Sequence, residues 1–189
     1  MLEKIIELDK KAFVFLNSLG SESFDGLWLL ITKQLNWTPL FLVVFYLLFK
    51  KIGWKNLFIV IGFLAVLILV GDQTANLFKN SVQRLRPCNN LEINQFIRIV
   101  KTSHTFSFFS GHATNSMATT VFVFFLFRKY YKYAFLLFLF PLIFAYSRIY
   151  LGLHYPLDVL TGYVFGATFG VIFYELFANV QKKYKLGLY

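Results

Sequence analysis

Long apolar runs alternate with short polar segments along most of this chain. Five runs have the length and composition of bundle helices, namely residues 37–49, 57–78, 112–127, 133–150 and 156–180. A helix of about 20 apolar residues crosses a bilayer. The pattern therefore predicts an all-α, integral-membrane helical bundle with about five spans over residues 36–180. The first run is short, and together with residues 24–34 it fits one broken or tilted span.

The first 35 residues are more polar and predict two short interfacial helices. The apolar positions in residues 1–18 fit one amphipathic helix, and they are Leu2, Ile5, Ile6, Ala12, Phe13 and Leu16. This pattern fits a helix on the membrane surface and a helix packed against the bundle equally well. No composition shift or internal repeat divides the chain, so residues 1–189 are expected to form a single domain.

The composition is typical of a membrane protein and argues against some kinds of partner and ligand. The 189 residues are 58% hydrophobic and 15% charged, against about 25% charged in a soluble domain. The net charge of +10 would suit nucleic acid, but Lys and Arg are dispersed between apolar runs and form no single basic face, so we predict no nucleic-acid partner. The single cysteine, Cys88, excludes a zinc site built from cysteines.

Three basic segments define one side of the predicted bundle. They contain Lys50, Lys51, Lys55, Arg128, Lys129, Lys132, Lys182, Lys183 and Lys185. Segments rich in Lys and Arg stay in the cytoplasm, which predicts a cytoplasmic C-terminus. The N-terminus, the loop 79–111 and the turn 151–155 then lie on the extracytoplasmic side.

A first candidate cluster is Lys79 and Arg86, followed by Pro87. Residues seven apart share a helix face, and Pro87 would end that helix. The guanidinium of Arg86 is a planar fork that suits phosphate. The alternative is that both cations meet lipid headgroups.

A second cluster, Ser110-Gly111-His112, begins a span. The free N–H groups at a helix start bind anions, and His112 would face such an anion from the first turn. An N-cap serine followed by an interfacial histidine explains the same residues.

The third cluster, Ser147 to Asp158, is a polar island between two apolar runs. Arg148 suggests an anion, and His154 suggests proton transfer or nucleophilic attack. Asp158 lies four residues after His154, where a carboxylate can orient an imidazole. The alternative is a buried Arg–Asp ion pair with a capping histidine.

Together the clusters supply three cations and two histidines at one predicted end of the bundle. Cations matched to a charged transition state are what phosphoryl transfer requires, and the two histidines allow a nucleophile and a separate general acid. The ligand sets for zinc and magnesium are missing, so we predict chemistry that uses no metal and no cofactor.

These residues closely resemble the type-2 phosphatidic acid phosphatase superfamily. Its three signatures are matched in order by Lys79 with Arg86-Pro87, by Ser110-Gly111-His112, and by Ser147-Arg148 with His154 and Asp158. The resemblance implies that His154 is the nucleophile, that Asp158 orients it, and that His112 protonates the leaving oxygen. It also implies a phosphate-binding set of Lys79, Arg86, Ser110, Gly111 and Arg148. The chain departs from the family at Phe109, where proline is usual.

The resemblance implies hydrolysis of a lipid phosphate or diphosphate at the extracytoplasmic face, in a bacterial inner membrane. Undecaprenyl diphosphate is the favoured substrate, and lipid A, phosphatidylglycerol phosphate and phosphatidic acid are alternatives. A non-enzymatic lipid-phosphate binding or transport protein would keep the cations but would not need His154 and Asp158 at this spacing. Two polar residues stay open: His104 is expected to be a solvated loop residue, and Asp72 either balances the cations or hydrogen-bonds within the bundle. The sequence does not predict the oligomeric state.

Overall fold

The computed structural model describes residues 2–186, in which all regular structure is helical. The α-helices are α1 Leu2–Ser18, α2 Glu22–Ile31, α3 Thr38–Val82, α4 Gly111–Phe127, α5 Leu139–Tyr150 and α6 Pro156–Lys183. The all-α prediction is therefore confirmed. Short 3-10 turns precede α3 and α5, at Gln34–Trp37 and Ala134–Phe138.

Helix α3 is a hairpin of two helical halves joined at Gly53. This glycine has a φ of 71°, a left-handed conformation that glycine adopts without steric strain. Phe41 and Phe45 from the first half line the same cavity as Ile61 and Ile68 from the second half. The halves therefore run back along each other, and the predicted runs 37–49 and 57–78 are its two arms.

Two stretches are long and apolar enough to cross a bilayer, Gln34–Asn89 and Pro156–Lys183. Helix α5 is shorter than the predicted run 133–150. It begins at Leu139 because Pro141, which lacks an N–H, is accommodated only in a first turn. The prediction of five spans is not established by these lengths and stays a prediction.

Helices α4 and α6 pack closely along a row of glycines in α6, Gly162, Gly166 and Gly170. A Cβ atom on Gly166 would lie 2.4 Å from the carbonyl oxygen of Thr114 in α4. Small residues spaced four apart let two helix backbones approach in this way. The close contact fixes the start of α4 relative to the start of α6.

Helix α1 packs against the bundle. Phe13 is fully buried, and its ring lies 5.4 Å from that of Tyr155. The side-chain amide of Asn17 donates to the carbonyl oxygens of Ile149 and Tyr150 at 3.2 and 3.0 Å. Helix α1 therefore makes the packing contacts of one interpretation, and its position at a membrane surface stays a prediction. The outward face of α1 still exposes large apolar residues, as a surface-bound helix would: Leu2, Leu8 and Phe15.

The basic segments meet at one end of the bundle. Gln181 donates to Asn56 at 3.0 Å, and Lys51 lies 5.8 Å above the ring of Tyr131. Lys79 lies on the same arm of α3 as Asn56, about 35 Å away at 1.5 Å per residue. The basic end and the candidate site are thus at opposite ends, as the charge pattern predicted. Which end faces the cytoplasm stays a prediction.

Candidate active site

The three clusters come together where α3 ends, α4 begins, α5 ends and α6 begins. The long connector between α3 and α4 is held over this end by backbone hydrogen bonds. Cys88 donates to the carbonyl of Gly152 at 3.1 Å, and Ser110 donates to that of Asp158 at 3.0 Å. These bonds attach the first two clusters to the third.

His154 lies at the centre of the site and is 1% exposed. Its Nε2 is 2.9 Å from Nη1 of Arg86, and its Nδ1 is 3.4 Å from Oδ2 of Asp158. A guanidinium only donates hydrogen bonds, so Nε2 is the acceptor and the proton sits on Nδ1, facing Asp158. Burial lowers the pKa of His154 well below its usual value, and the charges of Arg86, Arg148 and Lys79 lower it further. The imidazole is therefore neutral, which is the form that can act as a nucleophile.

Arg86 reaches His154 from a loop, so the expectation that it shares a helix face with Lys79 is wrong. Helix α3 ends at Val82, because Gln83 adopts a left-handed φ of 51°. Arg86 itself is extended, as is usual for a residue before proline. Its Nε donates to the carbonyl of Thr105 at 2.8 Å, and Nη1 also donates to that of Leu153 at 2.9 Å. Lys79 remains on α3.

The second cluster has the expected position at the start of α4. Ser110 is the N-cap, and its Oγ accepts a long hydrogen bond of 3.4 Å from the N–H of Ala113. A Cβ on Gly111 would lie 3.9 Å from Nζ of Lys79, so the backbone at Gly111 adjoins that cation. His112 occupies the first turn, with its ring 5.4 Å from that of Phe144.

Arg148 does not pair with Asp158, so the alternative of a buried Arg148–Asp158 ion pair does not hold. Nη1 of Arg148 donates to the hydroxyl of Thr32, just after α2. The partner of Asp158 is instead Arg84, with Nη1 2.8 Å from Oδ1. Arg84 also pairs with Asp9 of α1 at 2.6 Å.

The sequence interpretation missed Thr32, Arg84 and Asp9. Each is far from its partner along the chain, and no local spacing indicates such pairs. One indication of Arg84 was present in the sequence, because it is an arginine between Lys79 and Arg86 that matches no motif position.

A cavity of about 480 Å³ extends from this site into the bundle. Lys79, Gly111 and His112 lie at its polar end. Its remaining walls are mostly apolar and include Phe41, Phe45, Ile61, Leu64, Ile68, Phe140 and Phe144. A volume of this size is in the range of small-molecule sites.

Three further residues can now be placed. Asp72 lines the same cavity as Lys79 and accepts a hydrogen bond from Asn115 at 2.7 Å. Both interpretations of Asp72 are therefore compatible with its position. His104 is exposed on the connector. Phe109 is fully buried and stacks on Phe165 of α6 at 4.7 Å, so it packs the connector against the bundle.

The bundle thus brings two histidines and several cations to one end, next to a largely apolar cavity. The sequence profile of the PAP2 superfamily matches residues 56–182. The chain belongs to this superfamily, which confirms the resemblance and the assignment to its lipid phosphatases.

Two relatives resemble the chain over almost its whole length. It is 33% identical to a lipid A 4'-phosphatase of Bacteroides thetaiotaomicron, over 92% of this chain and 79% of that protein. It is 27% identical to a lipid A 4'-phosphatase of Porphyromonas gingivalis, over 97% of this chain and 78% of that protein.

The fold is also known from a crystal structure. A transmembrane PAP2-type phosphatidylglycerolphosphate phosphatase from Bacillus subtilis superimposes with a TM-score of 0.68, at 16% identity, over 95% of this chain and 87% of that one. With the apolar helices, this fold is that of an integral membrane protein.

Proposed function

We propose that the protein hydrolyses a phosphate monoester of lipid A through a phosphohistidine on His154, without a metal. The observation that carries this proposal is the position of the His154 ring, with Nε2 2.9 Å from Nη1 of Arg86 and Nδ1 3.4 Å from Oδ2 of Asp158.

In the first step, Nε2 of His154 attacks phosphorus while the P–O bond to the lipid breaks. The developing imidazolium is balanced by Asp158, whose Oδ2 already faces Nδ1. His112 gives a proton to the leaving oxygen of the lipid. In the second step His112 takes a proton from water, the water oxygen attacks phosphorus, and inorganic phosphate leaves His154.

The proposed phosphate ligands are Lys79, Arg86, Ser110, Gly111 and Arg148. Nη1 of Arg86 donates to the lone pair of Nε2 at 2.9 Å. Attack therefore requires that Arg86 exchange this bond for one to a phosphoryl oxygen. The exchange is favourable because a charge-assisted bond to an anion is stronger than a bond to a neutral imidazole.

The relatives support lipid A as the substrate class. The two relatives compared by sequence above are named lipid A 4'-phosphatases, so the 4'-phosphate is the position we propose. Undecaprenyl diphosphate, favoured from sequence alone, has no support among these relatives and becomes an alternative. The acyl chains would occupy the cavity lined by Phe41, Phe45 and Phe140.

Within a bacterial inner membrane, the location that we propose, the charge pattern supports an orientation with the active site outside. The basic segments lie about 35 Å from the site, at 1.5 Å per helical residue. Retention of basic segments in the cytoplasm would place the C-terminus there and His154 at the extracytoplasmic face.

The test is phosphate release by the purified protein from a panel of lipids. The panel contains bisphosphorylated lipid A, the two monophosphorylated forms, undecaprenyl diphosphate, phosphatidylglycerol phosphate and phosphatidic acid. We expect release from lipid A that carries a 4'-phosphate and little from lipid A that carries only the 1-phosphate. The His154→Ala protein should release no phosphate while keeping its melting temperature.

Each part of the proposal would be contradicted by a different result. Turnover retained by His154→Ala would remove the nucleophile assignment. Faster release from undecaprenyl diphosphate than from lipid A would restore the alternative substrate. Binding of lipid A without release by the unaltered protein would favour a lipid-phosphate binding or transport protein.

A further inference from the structure

Asp158 is a buried carboxylate whose two oxygens have different partners. Oδ2 accepts a hydrogen bond from the N–H of Tyr155 at 2.9 Å and faces Nδ1 of His154 at 3.4 Å. Oδ1 accepts from Nη1 of Arg84 at 2.8 Å, and the side chain of Asp158 is 0% exposed. A buried charge is retained only when it is paired and hydrogen-bonded, and Arg84 supplies that pairing.

Arg84 is itself held on three sides. Its Nη2 donates to Oδ2 of Asp9 at 2.6 Å, and its guanidinium lies 3.8 Å above the ring of Tyr155. The other oxygen of Asp9 accepts from the N–H of Leu157 at 2.8 Å, in the first turn of α6. The planar guanidinium thus joins α1 to the start of α6 through two carboxylates.

Arg84 differs from the arginines among the proposed phosphate ligands in how its charge is paired. Arg86 and Arg148 have no carboxylate among their hydrogen-bond partners described above, so their charge is available to a phosphate. The charge of Arg84 is matched by two carboxylates, Asp9 and Asp158. The side-chain contacts of Arg84 reach His154 through Asp158, which bonds Arg84 with Oδ1 and faces Nδ1 of His154 with Oδ2.

We propose that Arg84 and Asp9 are positioning residues that hold Asp158 against Nδ1 of His154. With Oδ1 bonded to Arg84, the carboxylate cannot rotate, and Oδ2 keeps the imidazole proton on Nδ1 and the Nε2 lone pair toward the phosphate. Helix α1 is then part of the active-site framework. This inference rests on the proposed function, in which His154 is the nucleophile.

The test compares kcat and KM for Arg84→Met, Arg84→Lys and Asp9→Asn with lipid A as substrate. In metal sites, loss of a partner that orients a ligating histidine lowers activity by about tenfold to a hundredfold. We expect a fall in kcat of this size for Arg84→Met, which loosens the partner of His154, with KM nearly unchanged. Arg84→Lys should recover part of kcat because it keeps the charge. Asp9→Asn should lower kcat less, because Arg84 keeps its bond to Asp158.

A double variant tests whether Arg84 acts through Asp158. If it does, adding Arg84→Met to Asp158→Asn lowers kcat no further. Independent, multiplying effects of the two changes would overturn the proposal. So would an effect of Arg84→Met on KM alone, or an unchanged kcat. If Arg84→Met does not fold, the same comparison is made with Arg84→Lys.

The matched control is Arg98→Met. Arg98 joins the same connector to α2 through Asp25, with Nη2 2.9 Å from both carboxylate oxygens, and it has no described bond to Asp158 or His154. We expect Arg98→Met to lower the melting temperature about as much as Arg84→Met does, but to leave kcat unchanged. An equal loss of kcat in Arg98→Met would mean that loosening of the N-terminal helices explains the effect, and the proposal would fail. Turnover retained by His154→Ala would instead overturn the proposed function itself.

Discussion

We expect Gly166→Ala to lower both the stability and the turnover of the enzyme, although Gly166 has no role in the proposed chemistry. The new Cβ would lie 2.4 Å from the carbonyl oxygen of Thr114 and 3.0 Å from Cβ of Met117, whereas ordinary contact begins at 3.4 Å. The Thr114 oxygen is helix backbone and cannot swing aside, so α4 and α6 must move apart by about 1 Å at this level.

The magnitude follows from two opposing effects. Overpacking of this kind costs about 1–3 kcal/mol, and alanine regains about 0.5–1 kcal/mol of helix propensity over glycine. We therefore expect a net loss of about 1–2 kcal/mol in the free energy of unfolding. The displacement also separates His112 on α4 from His154 beside α6, and a misplacement of about 1 Å can lower turnover about a hundredfold.

The assay is the melting temperature in detergent together with kcat for phosphate release. Gly62→Ala is the matched control, because a Cβ on Gly62 has no atom within 4 Å; this variant should keep its activity and melt no lower than the unaltered protein. Equal damage in both variants, or none in Gly166→Ala, would refute the packing explanation.

Two further predictions concern protons and metals. Because the folded protein holds the pKa of His154 well below its usual value, only the unfolded chain takes up this proton below about pH 6.5. The contribution of His154 therefore makes stability fall as pH decreases, by up to about 1.4 kcal/mol per pH unit. The melting temperature of His154→Ala should fall less steeply between pH 6.5 and 5, and parallel curves would contradict this account. Phosphate release should also survive EDTA, because Lys79, Arg86 and Arg148 supply the positive charge; a loss of activity that magnesium restores would contradict the metal-free mechanism.

The pattern of apolar positions predicted the helices well, because one cause, the burial of apolar side chains, determines it. The apolar runs gave every bundle helix, since burial and the bilayer both demand long apolar stretches. The predicted ends of the helices were less accurate where a single residue decides where a helix begins or stops. Gln83 ends α3 four residues before Pro87, and Pro141 places the start of α5 at Leu139.

The candidate site was predictable in part, because the family motifs mark the residues that are proposed to bind and attack the phosphate. His154, Asp158 and Arg86 were found in this way, and the structure brings them within hydrogen-bonding reach or close to it. The supporting contacts were not predictable. Asp9 and Arg84 meet only through the packing of α1, and the pattern of residues 1–18 did not decide where that helix lies.

The ion pairs of Arg84 also bear on how the enzyme is made. Arg84 lies 75 positions after Asp9 and 74 before Asp158. Helix α1, which carries Asp9, packs on residues 149–157, and Asp158 lies in the first turn of α6. Both ion pairs of Arg84 therefore depend on a region that is synthesised long after Arg84 itself. On the proposed function, a nascent chain can turn over substrate only after the start of α6 has emerged and packed against α1.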